Sequence, residues 1–436
     1  MNRRILNLAI PNIISNLSVP LLGAVDTALV GHLDEVYYLG AIAVGGMIFN
    51  FLFWGFGFLR MGTTGLTAQA FGEENRGESI LILARAVAVA GIFSTLIILL
   101  QAWIADISFW LVEASSEVET YTEIYFDIRI WSAPATLGLY AINGWFLGMQ
   151  NARYPMIVTI FLNMLNIGLD FLFIYGMGMH VDGVATGTLI ARYAGLLLAA
   201  SLLVWRYRQW LQQYIHKQLL ELAAVRKFFS VNRDIFIRTL CLIFTFSFFT
   251  AKSAEMGDTI LAANSILLQL WMIVSYGVDG FAYAAESLVG RYTGSQERQK
   301  LKNAIIYCFA WGIGIGLFAS GIYWALDRSL LTLFTDQQKV IDTAMTVYFW
   351  TVAGPAVSSF CYIWDGIFIG ATATGPMRDT MLFATLAVFL PVYYLTAGTL
   401  NNHAIWLAMV LFMIARGVTL TWYAPKQILR EPNSAP

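Results

Sequence analysis

The chain has 436 residues, of which 58% are hydrophobic and 12% are charged. Soluble domains carry about 25% charged residues, so this composition excludes an ordinary soluble domain and indicates a membrane protein. The formal net charge of −1 is less informative than the distribution of charges along the chain, and no nucleic-acid partner is predicted. The three cysteines lie inside apolar runs and are odd in number, which argues against a disulfide framework and against a thiolate metal site.

Apolar runs long enough to cross a bilayer, about 20 residues each, follow one another along the chain. The first starts after Arg4 and continues towards Gly31 without a small-residue cleavage site, so it is interpreted as a retained helix and not a signal peptide. The second, fourth, eighth and tenth runs exceed one crossing, which predicts tilt or protrusion. The predicted helices span 6–30, 38–70, 79–104, 119–148, 154–176, 183–205, 233–254, 260–290, 303–325, 343–370, 377–398 and 402–423.

Basic residues of the connections are sorted to one side of these helices. By the positive-inside rule that side is the cytoplasm, which predicts a multi-pass protein of the cell inner (plasma) membrane with both termini cytoplasmic. The residues are Arg3, Arg4, Arg76, Arg153, Arg206, Arg208, Lys217, Arg226, Lys227, Arg298, Lys300, Lys302, Arg378, Lys426 and Arg430.

The longest connection, 206–232, follows the sixth helix and divides the chain. Apolar residues such as Trp210 and Leu219 recur there at three- and four-residue steps among basic positions, which predicts an amphipathic linker on the cytoplasmic surface. The predicted organisation is an N-terminal six-helix lobe at 1–205, the linker, a C-terminal six-helix lobe at 233–423 and a cytoplasmic tail at 424–436.

An internal repeat supports this division. Pro134 and Pro155 are 21 residues apart, as are Pro355 and Pro376, and a methionine follows the second proline of each pair. Halves with an even number of helices share one orientation and are related by an axis along the membrane normal. The predicted fold class is therefore an all-α polytopic membrane protein with twelve transmembrane helices in two pseudo-symmetric six-helix bundles, which suits alternating access.

Carboxylates inside the predicted helices are the strongest functional signal, because a charge at a helix centre costs at least ~2.5 kcal/mol. Asp26 on the first helix and Asp170 on the fifth lie at similar depths. Asn163, Asn166 and Asp170 are three and four residues apart and share one helix face, which is too polar for lipid.

Two carboxylates in a partly dehydrated site suit proton transfer, and the same arrangement could bind Na⁺. Asn143 on the fourth helix and Thr188 on the sixth could supply neutral oxygen ligands. In the second half, Asp279 and Glu286 share a face of the eighth helix, and Asp365 lies on the tenth. These three could form a second cation or substrate site, or could pair with basic residues to hold the bundle together.

No sequence feature indicates an enzyme. The chain has no Walker phosphate loop, no H-E-x-x-H zinc motif and no G-x-S-x-G nucleophile phrase. We predict no cofactor and no resident metal. The predicted coupling ion is H⁺, and Na⁺ bound at Asp26 and Asp170 is the alternative. The predicted partners of the monomeric chain are small-molecule organic cations and the lipid bilayer.

Several phrases resemble the multidrug and toxic compound extrusion (MATE) family, specifically its DinF branch. They are residues 20–33 (PLLGAVDTALVGHL), 63–72 (TTGLTAQAFG), 261–264 (LAAN) and 277–290 (GVDGFAYAAESLVG). The resemblance covers essentially the whole chain. It implies a two-lobe antiporter that expels organic cations and drugs in exchange for protons or sodium ions.

The resemblance also implies roles for individual residues. The essential aspartate of the family's first helix falls on Asp26, and its fifth-helix asparagine and aspartate fall on Asn166 and Asp170. Its helix-four asparagine and helix-six threonine fall on Asn143 and Thr188.

The chain departs from the NorM-like pattern, because the stretch 243–251 of helix seven has no acidic residue. Coupling through the first lobe, and hence by protons, is favoured over a cation site in the second lobe. The alternative function is a flippase for a lipid-linked or polysaccharide precursor, whose anionic groups would need basic residues such as Arg60, Arg192 and Lys252.

Overall fold

Helices make up nearly all of the part of the chain that the computed structural model describes. That part comprises residues 1–31, 35–112, 114–212 and 219–429, without the side chains of residues 24, 26, 27 and 36. Eleven of its helical segments are long and apolar enough to cross a membrane. The remaining crossing runs over 116–148 and begins with a charged stretch. The predicted all-helical fold of twelve spanning segments is therefore confirmed.

The described residues of the first half form nine α-helices and two short irregular helical segments. They are α1 (Asn2–Val30), α2 (Val36–Gly55), α3 (Gly57–Gly72), α4 (Arg76–Leu99), α5 (Gln101–Leu111), α6 (Ser116–Arg129), a 3₁₀ turn (Ile130–Ser132), α7 (Ala133–Gly148), α8 (Arg153–Phe171), a π-helical segment (Leu172–Gly176) and α9 (Val181–Leu211).

The described residues of the second half form seven α-helices, one of them kinked at Asp327, and one π-helical segment. They are α10 (Leu222–Glu255), α11 (Asp258–Gly294), α12 (Arg298–Leu331), α13 (Gln338–Gly370), α14 (Thr374–Phe383), the π-helical segment (Ala384–Phe389), α15 (Leu390–Leu400) and α16 (Asn402–Gln427).

Two of the overlong predicted runs are broken within their length. The run predicted at 38–70 consists of α2 and α3, which meet at Phe56. The run predicted at 119–148 bends through the 3₁₀ turn just before Pro134, whose ring and missing N–H disfavour a continuous helix. Each of these two overlong crossings is therefore built from two shorter helices.

The chain folds into two compact units. One comprises residues 14–229 and is called the N-terminal unit; the other comprises residues 1–13 and 230–436 and is called the C-terminal unit. Within the predicted linker, residues 206–211 belong to α9 and residues 222–232 to α10, whereas 213–218 lie outside the described residues. The amphipathic surface helix proposed for this linker stays a prediction.

Close helix contacts through glycine occur in both units. In the N-terminal unit, a Cβ atom at Gly144 or Gly148 of α7 would lie under 3.0 Å from the carbonyl oxygens of Arg60 or Thr64 on α3. Side chains at these two positions would overlap the neighbouring backbone. The α3 and α7 helices can therefore pack this closely only because glycine occupies both positions.

The C-terminal unit repeats this contact between α11 and α13. A Cβ atom at Gly366 or Gly370 would lie under 3.0 Å from the carbonyl oxygens of Ala282 or Glu286. Each of these four residues lies 222 positions after its counterpart in the N-terminal unit. The two bundles are thus pseudo-symmetric at the level of individual contacts, which confirms the predicted internal repeat.

Candidate functional site

The polar face of α8 is buried inside the N-terminal unit. Asn163 and Asn166 are buried, and Asp170 is 0% exposed, whereas Met164 on the opposite side is 69% exposed. This burial follows from the three- and four-residue spacing, which places the amides and the carboxylate on one side of the helix. A fully buried carboxylate is costly in a membrane protein and marks a candidate functional site.

Hydrogen bonds connect this face internally and to α1. The Asn166 amide Nδ2 donates to Asp170 Oδ2 at 2.8 Å, and the Asn163 amide Nδ2 donates to Ser18 Oγ at 2.9 Å. Ser18 Oγ in turn donates to the Ser15 carbonyl oxygen at 2.8 Å. The first and fifth predicted helices are therefore joined through polar side chains.

Two contacts fix how α1 and α8 are aligned. Ser18 meets Asn163, and the Leu29 carbonyl oxygen accepts from the Tyr175 hydroxyl at 3.3 Å. The two helices run in the same direction, and Asp170, seven residues after Asn163, is level with about residue 25 of α1. Since a helix rises 1.5 Å per residue, the backbone of Asp26 lies within ~3 Å of that level. The Asp26 side chain itself lies outside the described residues.

The α9 helix lies against the same site, which α8 and α1 also line. A Cβ atom at Gly187 would overlap Asp170 Oδ1, so the carboxylate reaches the α9 backbone only because this residue is glycine. Thr188, the next residue along α9, is buried as well. Of the candidates in the N-terminal unit, the structure therefore brings Asn166, Asp170 and the backbone next to Thr188 together.

Asn143 is not hydrogen-bonded to this cluster. Its Oδ1 is buried without a hydrogen-bond partner among the described residues, next to the close contact that Gly144 makes with α3. Sequence reasoning also missed Ser18 and Gly187. Ser18 could have been found as the α1 residue about two turns before Asp26, but no sequence signal distinguishes Gly187 from the other glycines.

The acidic residues of the C-terminal unit lie in different surroundings. Asp365 on α13 is buried, and its Oδ2 accepts from the guanidinium groups of Arg238 on α10 and Arg416 on α16, the latter at 2.6 Å. This is the ion pairing considered above as the alternative to a ligand site. Glu286 on α11 is also buried, and Asp279, seven residues earlier, is partly exposed.

Arg238 and Arg416 were missed by the sequence reasoning, although each lies inside a predicted spanning run. A second carboxylate, Asp234, lies one turn before Arg238 on α10. It is buried and accepts from Arg378 Nη1 at 2.9 Å and from Arg233 Nη2 at 3.1 Å. Two buried carboxylates of the C-terminal unit, Asp234 and Asp365, are therefore each held by two arginines.

Basic residues of the N-terminal unit gather around Tyr140 of α7. Arg60 of α3 and Arg192 of α9 both interact electrostatically with its hydroxyl, and Arg192 also with Arg129 at the end of α6. Lys252, in the C-terminal unit, forms an ion pair with Glu255 at 2.7 Å. Two of the three basic residues that suit an anionic cargo thus share one region.

The ligand chemistry of the N-terminal site is that of carboxylate and amide oxygens, which suit a proton or a hard cation such as Na⁺. Among the described residues, no three His, Cys, Asp or Glu side chains lie close enough to hold a metal ion. The arrangement can bind, hold and release a positive charge, and it offers no nucleophile paired with a base.

Comparison with known proteins agrees with this description. The MatE family pattern matches residues 11–172 and 235–395, one segment in each repeat. The chain is 38% identical to DNA damage-inducible protein F of Escherichia coli strain K12, over 96% of this chain and 93% of that protein. It is 22% identical to the probable multidrug resistance protein NorM of Acinetobacter baylyi, over 94% of this chain and 92% of that protein.

The fold also matches a solved structure, an outward-facing multidrug resistance MATE family transporter of the MOP superfamily. The TM-score is 0.86 at 19% identity, with 97% of this chain and 95% of that chain covered. The chain therefore belongs to the MatE family, whose members are secondary transporters and not enzymes.

Proposed function

We propose that this protein exports organic cations and drugs from the cytoplasm across the cell inner membrane in exchange for protons, by alternating access. The observation that carries the proposal is the complete burial of Asp170, which is hydrogen-bonded to Asn166 and level with Asp26 on α1. Burial favours the uptake of a proton or a cation by a carboxylate, because removal from water disfavours its charged form. In this proposal both termini are cytoplasmic.

The roles of the site residues follow from their positions. Asp26 and Asp170 bind the coupling ion, Asn166 orients the Asp170 carboxylate through its amide, and Thr188 and Asn143 offer neutral oxygens. Ser18 and Asn163 align α1 with α8. Competition between the coupling ion and the exported cation for the same carboxylates would then link their opposite movements.

Protons are favoured over sodium ions as the coupling ion. Sodium needs several oxygen ligands at once, and the C-terminal unit has no acid in residues 243–251 of α10, while Asp365 is already paired with two arginines. A single fully buried carboxylate is sufficient for a proton. Asp279 and Glu286 remain candidates for binding exported cations.

The alternative function, a flippase for a lipid-linked or polysaccharide precursor, is favoured by one observation. Arg60 and Arg192 both lie near the Tyr140 hydroxyl in the N-terminal unit, and guanidinium groups bind phosphate well. An organic cation would be repelled from this region, whereas an anionic head group would be attracted.

The test is efflux of a fluorescent organic cation from proteoliposomes under an imposed pH gradient or an imposed Na⁺ gradient. We expect efflux driven by the pH gradient in the wild type and its loss in Asp26→Asn, with folding intact. Asp258→Asn, at an exposed position in the first turn of α11, is the matched control and should transport normally. Coupling to sodium alone would overturn the choice of ion, and movement of no cation under either gradient would favour the flippase.

A further inference from the structure

The Arg238–Asp365–Arg416 cluster carries an excess positive charge inside the C-terminal unit. The three side chains are held on α10, α13 and α16 and are 7%, 5% and 1% exposed. Both guanidinium groups donate to the same oxygen, Asp365 Oδ2. Two cations and one carboxylate leave one net positive charge, and a buried charge of this kind is costly unless something neutralises it.

The hydrogen-bonding capacity of the cluster is also incompletely used. The Nε atoms of Arg238 and Arg416 are buried without a hydrogen-bond partner among the described residues. Neither arginine binds the carboxylate through two nitrogens, although a guanidinium and a carboxylate usually pair in that way. Arg416 Nη1 instead donates to the thioether sulphur of Met413 at 3.1 Å, which is a weak acceptor.

Among the described residues, Asp365 is the one carboxylate that forms an ion pair with Arg238 or Arg416. Asp234, one turn before Arg238 on α10, is occupied by Arg378 and Arg233. Neutral side chains lie beside the cluster: the Cys241 thiol lies near both guanidinium groups and contacts the Thr385 hydroxyl, and the Cys361 thiol lies near both guanidinium groups and Asp365.

Thr385, which the Cys241 thiol contacts, contributes a further polar side chain from a π-helical segment. It lies in the π-helical segment between α14 and α15, is buried, and its Oγ1 is among the atoms without an ordinary hydrogen-bond partner. Segments of π-helix occur frequently at functional sites. The Cys241 thiol therefore both contacts the Thr385 hydroxyl and lies near the two guanidinium groups.

We propose that this cluster is a binding site for a compact monovalent inorganic anion, of which chloride is the representative. Chloride accepts several hydrogen bonds without needing fixed directions, and it would neutralise the net charge. A bulky anion does not suit the site, because the residues next to the cluster are tightly packed. A Cβ atom at Gly366 would overlap the Ala282 carbonyl oxygen, and one at Gly417 would lie 2.7 Å from the Phe360 ring.

The experiment uses the purified full-length chain in nanodiscs, equilibrated with sodium gluconate and titrated with sodium chloride at constant sodium concentration. A ligand that binds only the folded state raises the unfolding temperature as its concentration exceeds Kd. We expect a saturable rise in unfolding temperature, together with binding of one radioactive chloride ion per chain. An unfolding temperature that is the same in gluconate and chloride would overturn the proposal.

Three variants separate a specific site from a general salt effect. Arg416→Met removes one donor and should abolish the chloride dependence. Asp365→Asn raises the net charge and should tighten chloride binding at least tenfold, whereas a site whose only function is structural would show no such change. Arg85→Met, at a buried arginine that pairs with Glu78 in the N-terminal unit, should respond as the wild type does.

If Arg416→Met does not fold, the chloride titration of Asp365→Asn and the binding stoichiometry decide the question. Weaker chloride binding by Asp365→Asn, or an equal chloride response in all variants, would contradict the proposal. None of these measurements requires transport, so the outcome is independent of the function proposed above.

Discussion

The N-terminal and C-terminal units share their closest helix contacts but differ in what surrounds a buried carboxylate. Gly144 and Gly148 in one unit match Gly366 and Gly370 in the other, with 222 positions between the members of each pair. The N-terminal unit buries the carboxylate of Asp170 among amides, whereas the C-terminal unit buries two guanidinium groups around one carboxylate. Duplication has therefore preserved the packing while the ion chemistry has diverged.

The difference in ion chemistry can be assigned to individual residues by comparing each with the position 222 residues earlier, which is the separation of the matched glycines. Arg238 and Asp365 fall on Asn16 and Asn143, so the charged pair of the C-terminal unit corresponds to two neutral amides. In the C-terminal unit, the stretch 384–392 after α14 occupies the place that the acidic end of α8 has in the N-terminal unit. This stretch has no acidic or amide residue. Side chains at equivalent positions can differ in charge while the helix packing is kept, because glycine contacts hold the helices together.

The largest expected effect on transport comes from a change in the acidic site. Asp170→Asn keeps the shape of the side chain and its hydrogen bond to Asn166 but cannot carry a negative charge. We expect gradient-driven efflux from proteoliposomes to fall about 100-fold, since losing a charge-assisted interaction of this kind costs ~2–3 kcal/mol, with the unfolding temperature little changed. Asp258→Asn provides the control, and efflux at the wild-type rate by Asp170→Asn would refute the role of this carboxylate.

The second prediction concerns the stability of the Arg238–Asp365–Arg416 cluster and compares Asp365 with its equivalent position in the N-terminal unit. Asp365→Asn leaves two buried guanidinium groups without their counter-ion, so in chloride-free buffer the free energy of unfolding should fall by ~3–5 kcal/mol. Asn143→Ala at the corresponding position should cost less than ~1 kcal/mol, because Asn143 Oδ1 has no hydrogen bond to lose. Similar losses of unfolding free energy in the two variants would show that the two units do not differ in buried charge at these equivalent positions.

A smaller effect is expected from reshaping the wall of the acidic site. Gly187→Ala forces the Asp170 carboxylate to move, because the added methyl group would overlap Oδ1. We expect transport to fall about tenfold, equivalent to ~1.4 kcal/mol, while the protein still folds. Gly168→Ala on α8, where a methyl group meets nothing within 4 Å, is the matched control. Equal transport by both variants would mean that the position of the carboxylate is not critical.

The sequence was sufficient for the fold because its signals are local. Apolar runs, basic loops and the paired prolines each depend on a few neighbouring residues, and the structure contains every predicted crossing. The spacing of Asn163, Asn166 and Asp170 likewise predicted a shared face, since helical periodicity fixes it. The breaks at Phe56 and at 130–132 were missed, because an apolar run does not show where a helix bends.

The remaining parts of the candidate site depend on contacts between distant segments. Nothing near Gly187 in sequence indicates that it contacts Asp170, and nothing near Asp365 indicates that Arg238 and Arg416 bind it from 127 and 51 positions away. Periodicity assigns a residue to a face, but only the packing of one helix on another gives that face a partner.

The smallest expected effect concerns the alignment of α1 with α8. The hydrogen bond that aligns these helices, between Asn163 and Ser18, does not itself bind the coupling ion in our proposal. Ser18→Ala removes the acceptor for the buried Asn163 amide, so the free energy of unfolding should fall by ~1–2 kcal/mol. Ser265→Ala, at an exposed serine of α11 that bonds only its own helix, should change it by less than ~0.5 kcal/mol. Denaturation of both variants measures the difference. Because Asp26 and Asp170 stay on their helices, transport by Ser18→Ala should remain within about twofold of the wild type; a complete loss would place Ser18 in the coupling site itself and extend the acidic region along α1.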